Sequence, residues 1–177
     1  MINISIETNN LIIRPFLPAD AKDAAYYSQQ PNVSYWMSDM VLKDESEALS
    51  WIHWLNEKFN TNEPFIILAI ELKVEHICIG VVGVHAKVEI DNEVEILYGI
   101  SDSYRGNGYA TEASNALTQW VFKNTELKTL TAIVKPENIP SYAVIKKLGF
   151  EYVDTKVIPY DGHMCKFDYY KLYNSHP

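Results

Sequence analysis

Six residues, Arg105-Gly106-Asn107-Gly108-Tyr109-Ala110, stand between the apolar run Val94–Ile100 and a segment in which Ala113, Leu117, Trp120 and Val121 fall at helical spacing. A glycine-bearing turn that passes directly into a helix offers unpaired N–H groups and the positive end of the helix dipole, a ready cradle for an anion. Gly106 and Gly108 let the backbone approach a phosphate with no Cβ in the way, and Arg105 adds a cation beside it. The same string also serves as a flexible helix entry. It is not a P-loop, lacking GK[ST], nor a dinucleotide fingerprint, lacking the third glycine. Just upstream, Glu93 and Glu95 lie two apart on a strand and so share a face, as proton-transfer groups or as a solvated edge. Downstream, Asn138 is a preferred N-cap, and Ser141 stands in the first turn of the helix it opens, where a hydroxyl can cap.

The elements that must position these residues follow from periodicity and punctuation. Leu11–Arg14 reads as a short strand stopped by Pro15, and Asp20 starts a helix through about Gln29. Asp44 with Glu47 resembles a capping box, behind which Ala48, Ile52, Leu55 and Phe59 repeat at helical spacing. Phe65–Ile70, His76–Val84 and Val94–Ile100 are β-branched runs that form a meander, with Asp91-Asn92 turning the chain into the third. The long helix after the glycine turn leads to a strand at Thr129–Val134, then to a helix opened by Asn138-Ile139-Pro140 and closed by Gly149. Asp161-Gly162 makes the last two strands a tight hairpin. The expected architecture is α+β, a mixed, mostly antiparallel sheet of about six or seven strands with about four helices.

The 177 residues suit a single domain spanning the chain, with its core at about 8–172. A formal charge of −8 with no basic stripe argues against a nucleic-acid partner. With neither a long apolar run nor a basic leader, the reading is a cytoplasmic protein without a membrane partner. Cys78 and Cys165 lack metal or disulfide-framework spacing. His53, His76, His85, His163 and His176 are read as surface or packed side chains, and no metal is expected.

Taken in order, these segments resemble the GCN5-related N-acetyltransferase (GNAT) family over about residues 8–172. Arg105-Gly-Asn-Gly108-Tyr-Ala110 is similar to the family's Arg/Gln-x-x-Gly-x-Gly/Ala turn. Asn138-x-x-Ser141 with Lys147-Leu-Gly-Phe150 is similar to its second block, and Ile79-Gly80-x-x-Gly83 to its second and third strands. Leu11-x-x-Arg14-Pro15 with Asp20 resembles the opening of one branch, the ribosomal-protein N-terminal acetyltransferases.

The resemblance implies acetyl-CoA as cosubstrate and a primary amine that attacks the thioester directly in a ternary complex. It implies that the turn Arg105, Gly106, Asn107, Gly108, Tyr109 and Ala110 holds the pyrophosphate, that Asn138 hydrogen-bonds the cofactor or an ordered water, and that Ser141 contacts the cofactor at its sulfur. Main-chain groups of Tyr98, Gly99 and Ile100 would hold the pantetheine and carbonyl. Gly99 there either permits a bulge that frees such groups or is a packing accommodation. Glu95 falls where many members carry the carboxylate that activates the amine. The tyrosine that commonly protonates the leaving thiolate is replaced by Ile145, which leaves Ser141, the branch's assigned donor, or the adjacent Tyr142. Tyr35, Trp36 and Glu93 are the expected acceptor contacts, although core packing is open to the early aromatics Trp51 and Trp54 as well.

Acidic clusters at Asp39, Asp44, Glu45 and Glu47 and at Asp91, Glu93 and Glu95 suit a cationic amine: a protein N-terminus, an aminoglycoside or a polyamine. Ile145 in place of the usual tyrosine also fits a non-catalytic acyl-CoA sensor, and both monomers and homodimers occur on this fold.

Overall fold

The computed structural model describes residues 4–58 and 64–174; Phe59 and His176 lie outside them. Among the described residues eight strands form one sheet in the order β1-β2-β3-β4-β5-β6-β8-β7. They are β1 (Ile6–Glu7), β2 (Leu11–Arg14), β3 (Phe65–Leu72), β4 (Ile77–Lys87), β5 (Glu93–Ile100), β6 (Thr129–Val134), β7 (Glu151–Tyr160) and β8 (His163–Tyr173). Neighbours are antiparallel except β5 and β6, which run parallel. The helices are α1 (Ala21–Ser28), α2 (Pro31–Trp36), α3 (Glu45–Lys58), α4 (Tyr109–Asn124) and α5 (Ile139–Lys147).

The expected counts of six or seven strands and about four helices therefore rise to eight and five. The additions are β1, a two-residue strand, and α2, a six-residue helix, both too short to show a period. The β3–β4 hairpin also runs further at both ends than its β-branched cores suggest, because ladder pairing carries Glu71, Ala86 and Lys87 along.

Period-two alternation divides the sheet into two packed faces. Val94, Ile96 and Ile100 of β5 join Ala113, Leu117 and Val121 of α4 and Ile145 of α5 in one core. Ile67, Ala69 and Val81 face the opposite side, against Ala24, Tyr27, Val33, Ala48, Ile52 and Leu55 of α1 to α3. Complete burial of a residue such as Leu117 or Ile52 contributes about 1.5–3 kcal/mol each. Alternation thus commits Tyr98 to the α4/α5 side, while Glu95, Leu97 and Gly99 belong to the α1–α3 side.

Local signals behave as their chemistry predicts. The Asn138 side chain accepts the Ser141 N–H at 3.2 Å and caps α5, and the Glu47 N–H donates to the Asp44 carboxylate at 2.9 Å. Asp161 and Gly162 both take positive φ, 52° and 76°, the backbone that a two-residue hairpin turn demands. Arg14 grips both Asp20 oxygens, at 2.7 and 3.0 Å, and Glu71 at 2.6 Å. This half-buried network fastens β2 to β3 and to the start of α1, and gives the Leu11-x-x-Arg14-Pro15…Asp20 pattern a structural role.

Candidate active site

Parallel strands β5 and β6 meet at one register only, Glu95 opposite Thr131. Beyond it the two strands share no further register pair, which leaves the β5 edge that follows Ile96 without a ladder partner on the β6 side. A cleft of about 570 Å³ opens there, lined by Glu95–Ile100 on one side, Ala132–Val134 on the other, and parts of α2, α4 and α5. Its walls include Arg105, Gly106, Gly108, Tyr109 and Ala110 at one end and Trp36, Met37 and Glu95 at the other.

At the first end the chain enters α4 through a loop with Gly106 and Gly108 both at φ 82°. Such a backbone is costly for side-chain-bearing residues, and no atom lies within 4 Å of where a Cβ would stand at either glycine. The N–H groups of the first turn of α4 have no intrahelical acceptor, so the loop and helix end can receive a phosphate. Arg105 also lines the cleft, loosely paired with Asp102 at 4.0 Å. Asn107 turns its amide back to the Tyr104 carbonyl at 3.1 Å, so its side chain braces the loop.

Gly99 carries no bulge: the β4–β5 register runs unbroken from Gly80–Ile100 to Lys87–Glu93. Its necessity is space. A Cβ there would stand 2.0 Å from the Tyr27 hydroxyl oxygen and 3.0 Å from the Met37 sulfur, so α1 and α2 lie directly on the strand. The end of pairing with β6, not a bulge, is what bares the β5 edge.

At the second end Glu95 is 8% exposed. Burial pushes its carboxyl up to about 7, against the opposing pull of Lys87, whose ammonium stands 3.4 Å away. His85, directly opposite on β4, places Nε2 3.6 Å from the same carboxylate oxygen. His85 Nδ1 lies 3.1 Å from the Ala86 carbonyl, which can only accept, so Nδ1 carries the hydrogen and the neutral ring turns a lone pair toward Glu95. Burial lowers the His85 pKa, which favours that neutral form. A buried carboxyl poised near neutrality is suited to take a proton from an incoming amine.

Glu93, on the same face, lies outside the cleft. It accepts from the Tyr169 hydroxyl and from Lys171 at 3.0 Å. Burial alone would raise its pKa, but these bonds bring it below the usual value. Trp36 lines the cleft, whereas Tyr35 is 64% exposed and packs edge-on against it at 4.6 Å. Trp51 and Trp54 pack on Phe16 and Phe65.

On the α5 side, Asn138 and Ser141 line the cleft, and Ser141 Oγ lies 2.8 Å from the Tyr98 hydroxyl. Asn138 does the capping, so the Ser141 hydroxyl is left for Tyr98 and the cleft. Tyr142, 41% exposed, packs toward Tyr170 outside the cleft, while Ile145 is fully buried in its wall.

Three contributors were not legible in the sequence. His85 and Lys87 reach Glu95 only through the β4–β5 register. The Gln30 carboxamide oxygen accepts from Ser101 Oγ at 3.0 Å and from the Asp102 N–H, tying α2 to the glycine loop. Nothing in a lone Gln-Pro step at the start of α2 signals that link.

A family model described as an acetyltransferase (GNAT) domain matches residues 10–151. YnaD of Bacillus subtilis, an uncharacterized N-acetyltransferase, is 32% identical over 144 residues, 81% of each chain. Ribosomal-protein-S5-alanine acetyltransferase from Vibrio fischeri shares the fold with a TM-score of 0.81 at 20% identity, over 98% of both chains. RimJ of Mycobacterium smegmatis, solved in complex with CoA-disulfide, shares it at 0.82 and 20% identity, over 97% of this chain and 88% of that one. With the briefly paired β5 and β6 and the glycine loop at the head of α4, these matches identify the chain as a member of the GNAT family of N-acetyltransferases.

Proposed function

We propose that the cleft holds acetyl-CoA, with its pyrophosphate on the Arg105–Ala110 loop and its pantetheine along the bared edge of β5. The donor's acetyl group then lies between Glu95 and the Ser141/Tyr98 pair. A primary amine enters past Trp36 and Met37 from the Glu95 side, and its nitrogen attacks the thioester carbonyl as the carbon–sulfur bond breaks. Glu95 takes the ammonium proton, and coenzyme A leaves as thiolate with Ser141 as its hydrogen-bond donor. Holding both reactants in one cleft supplies the proximity, and no covalent enzyme intermediate is needed. Asn138, as the cap of α5, keeps Ser141 in place.

The observation that carries this reading is the pairing, in one cleft, of an open anion-binding loop with a buried carboxyl poised at about 7. The M. smegmatis neighbour was solved with a coenzyme A compound, which supports the choice of cosubstrate. Calorimetric titration with acetyl-CoA, coenzyme A and NAD tests it: the coenzyme A compounds bind and NAD does not. Equal binding of NAD, or no binding, overturns it. A non-catalytic acyl-CoA sensor is not favoured, because a sensor has no use for a carboxyl poised between its charge states beside the cleft.

A further inference from the structure

Around the acceptor end, just outside the residues that line the cleft, stand charges of both signs, and they are unevenly compensated. Lys87 is matched by Glu95 and Lys171 by Glu93. Lys135 and Lys156 lack such a close pair, although Lys156 still acts on Glu93 from a greater distance. Both are half-buried, and among the described residues neither has a carboxylate within 4.0 Å. Each ammonium lies instead over a ring, Lys135 at 4.4 Å from the centre of Tyr160 and Lys156 at 4.6 Å from that of Tyr169. A ring face offsets only part of the lost hydration of an ammonium, so such a site still favours an anion.

The Tyr160 ring connects to the cleft itself, and the Tyr169 ring to a residue just beyond its Glu95 end. The Tyr160 hydroxyl donates to the main-chain oxygen of Trp36 at 3.0 Å, and Trp36 lines the cleft. Lys135 directly follows Val134, another wall residue. Tyr169 donates to Glu93, two residues before Glu95 on the same strand face. On the β4 side the sign reverses, since Asp39 and Glu89 act on Glu95 and His85 with no cation within 4.0 Å among the described residues.

We infer that the acceptor is an amine that also carries an anionic group: nitrogen at Glu95 on the acidic β4 side, anion at Lys135 and Lys156 on the aromatic β6–β8–β7 side. This rests on the acetyl-transfer reading above and narrows it. The acidic clusters expected to draw a polycation are in part already neutralised, Glu93 by Lys171 and Tyr169, Glu95 by Lys87. A polyamine or aminoglycoside would in addition meet Lys135 and Lys156.

Thiol release from acetyl-CoA is measured with N-terminally free tetrapeptide amides carrying Glu, Gln or Lys at positions two and three, with free glutamate, and with spermidine. The expected kcat/KM for the Glu peptide exceeds that for the Gln peptide at least tenfold. In a Lys135→Gln/Lys156→Gln double variant that still binds acetyl-CoA, the ratio falls to within about twofold, and Lys135→Arg/Lys156→Arg restores it. Glutamate turned over as well as the Glu peptide assigns the site to acidic amino acids; the peptide alone assigns it to acidic N-termini. A preference for spermidine or the Lys peptide, or a Glu/Gln ratio that survives the double Gln variant, overturns the inference and leaves acetyl transfer standing. Bound acetyl-CoA with no acceptor turned over overturns both.

Discussion

At its cradle end the cleft is lined by residues from one short segment, Tyr104 to Thr111, whereas around its acceptor end stand Glu95 from β5, His85 and Lys87 from β4, and Trp36 and Met37 from the end of α2 and just after it. The first end needs only backbone geometry, two positive-φ glycines and a helix end. The second needs long-range pairing to set one carboxyl against a lysine and a histidine. On the proposed function, binding and chemistry are thus built by different means, and substitutions at the two ends are expected to have separable effects.

The largest effect strikes the scaffold shared by both ends. A Cβ at Gly80 would lie 2.1 Å from the carbonyl oxygen of Gly99 on the adjoining strand, an atom held by the ladder. Gly80→Ala therefore destabilises the protein by about 3 kcal/mol and weakens both functions, as read from urea unfolding and acetyl-CoA titration. Next comes the cradle alone. Gly108→Ala meets no neighbour but must hold a left-handed backbone at about 1–2 kcal/mol, so acetyl-CoA affinity falls about tenfold while acceptor KM is unchanged.

A comparable but opposite separation is expected from Lys87→Met. Glu95 is protonated below about pH 7, so kcat/KM rises with pH toward a plateau above that point. Lys87 holds that pKa down, and its removal moves the midpoint upward, lowering kcat/KM at pH 7 about three- to tenfold with acetyl-CoA affinity intact. The raised carboxyl also favours the folded state fully below its ordinary 4.5, a contribution lost as pH rises through about 7, and Glu95→Gln flattens that dependence in thermal melts. The smallest effect is Ser141→Ala, about two- to fivefold in kcat, because a thiolate is a tolerable leaving group. Rate loss above a hundredfold would instead make Ser141 an obligatory acid.

What the sequence discloses follows the same division. Arg105-Gly-Asn-Gly108, the Asn138 cap and the Asp161-Gly162 turn are local devices whose residue types dictate their conformation, and each is legible at a glance. Glu95 is legible as a strand carboxylate of the right family position, but its environment is not, since burial and the pairing with His85 and Lys87 exist only once β4 and β5 are in register. Glu93 and Tyr142 show the converse. Each sits within two residues of a cleft residue in sequence, yet Glu93 is held by β8 and Tyr142 turns outward on α5. Gly99 invited a bulge because strand glycines often mark one, and the true reason, the approach of Tyr27 and Met37, depends on where α1 and α2 dock.

The most direct test of the two-ended cleft is Glu95→Gln, assayed for acetyl-CoA Kd by calorimetry and for kcat across pH 5–9 with an amine that the wild type acetylates. Loss of a general base is worth about 10²- to 10⁴-fold. The expected result is a kcat at least a hundredfold lower, without the rise toward a plateau near pH 7, at an acetyl-CoA Kd within twofold of wild type. Unchanged turnover with the same pH profile would remove Glu95 from the chemistry and contradict the account.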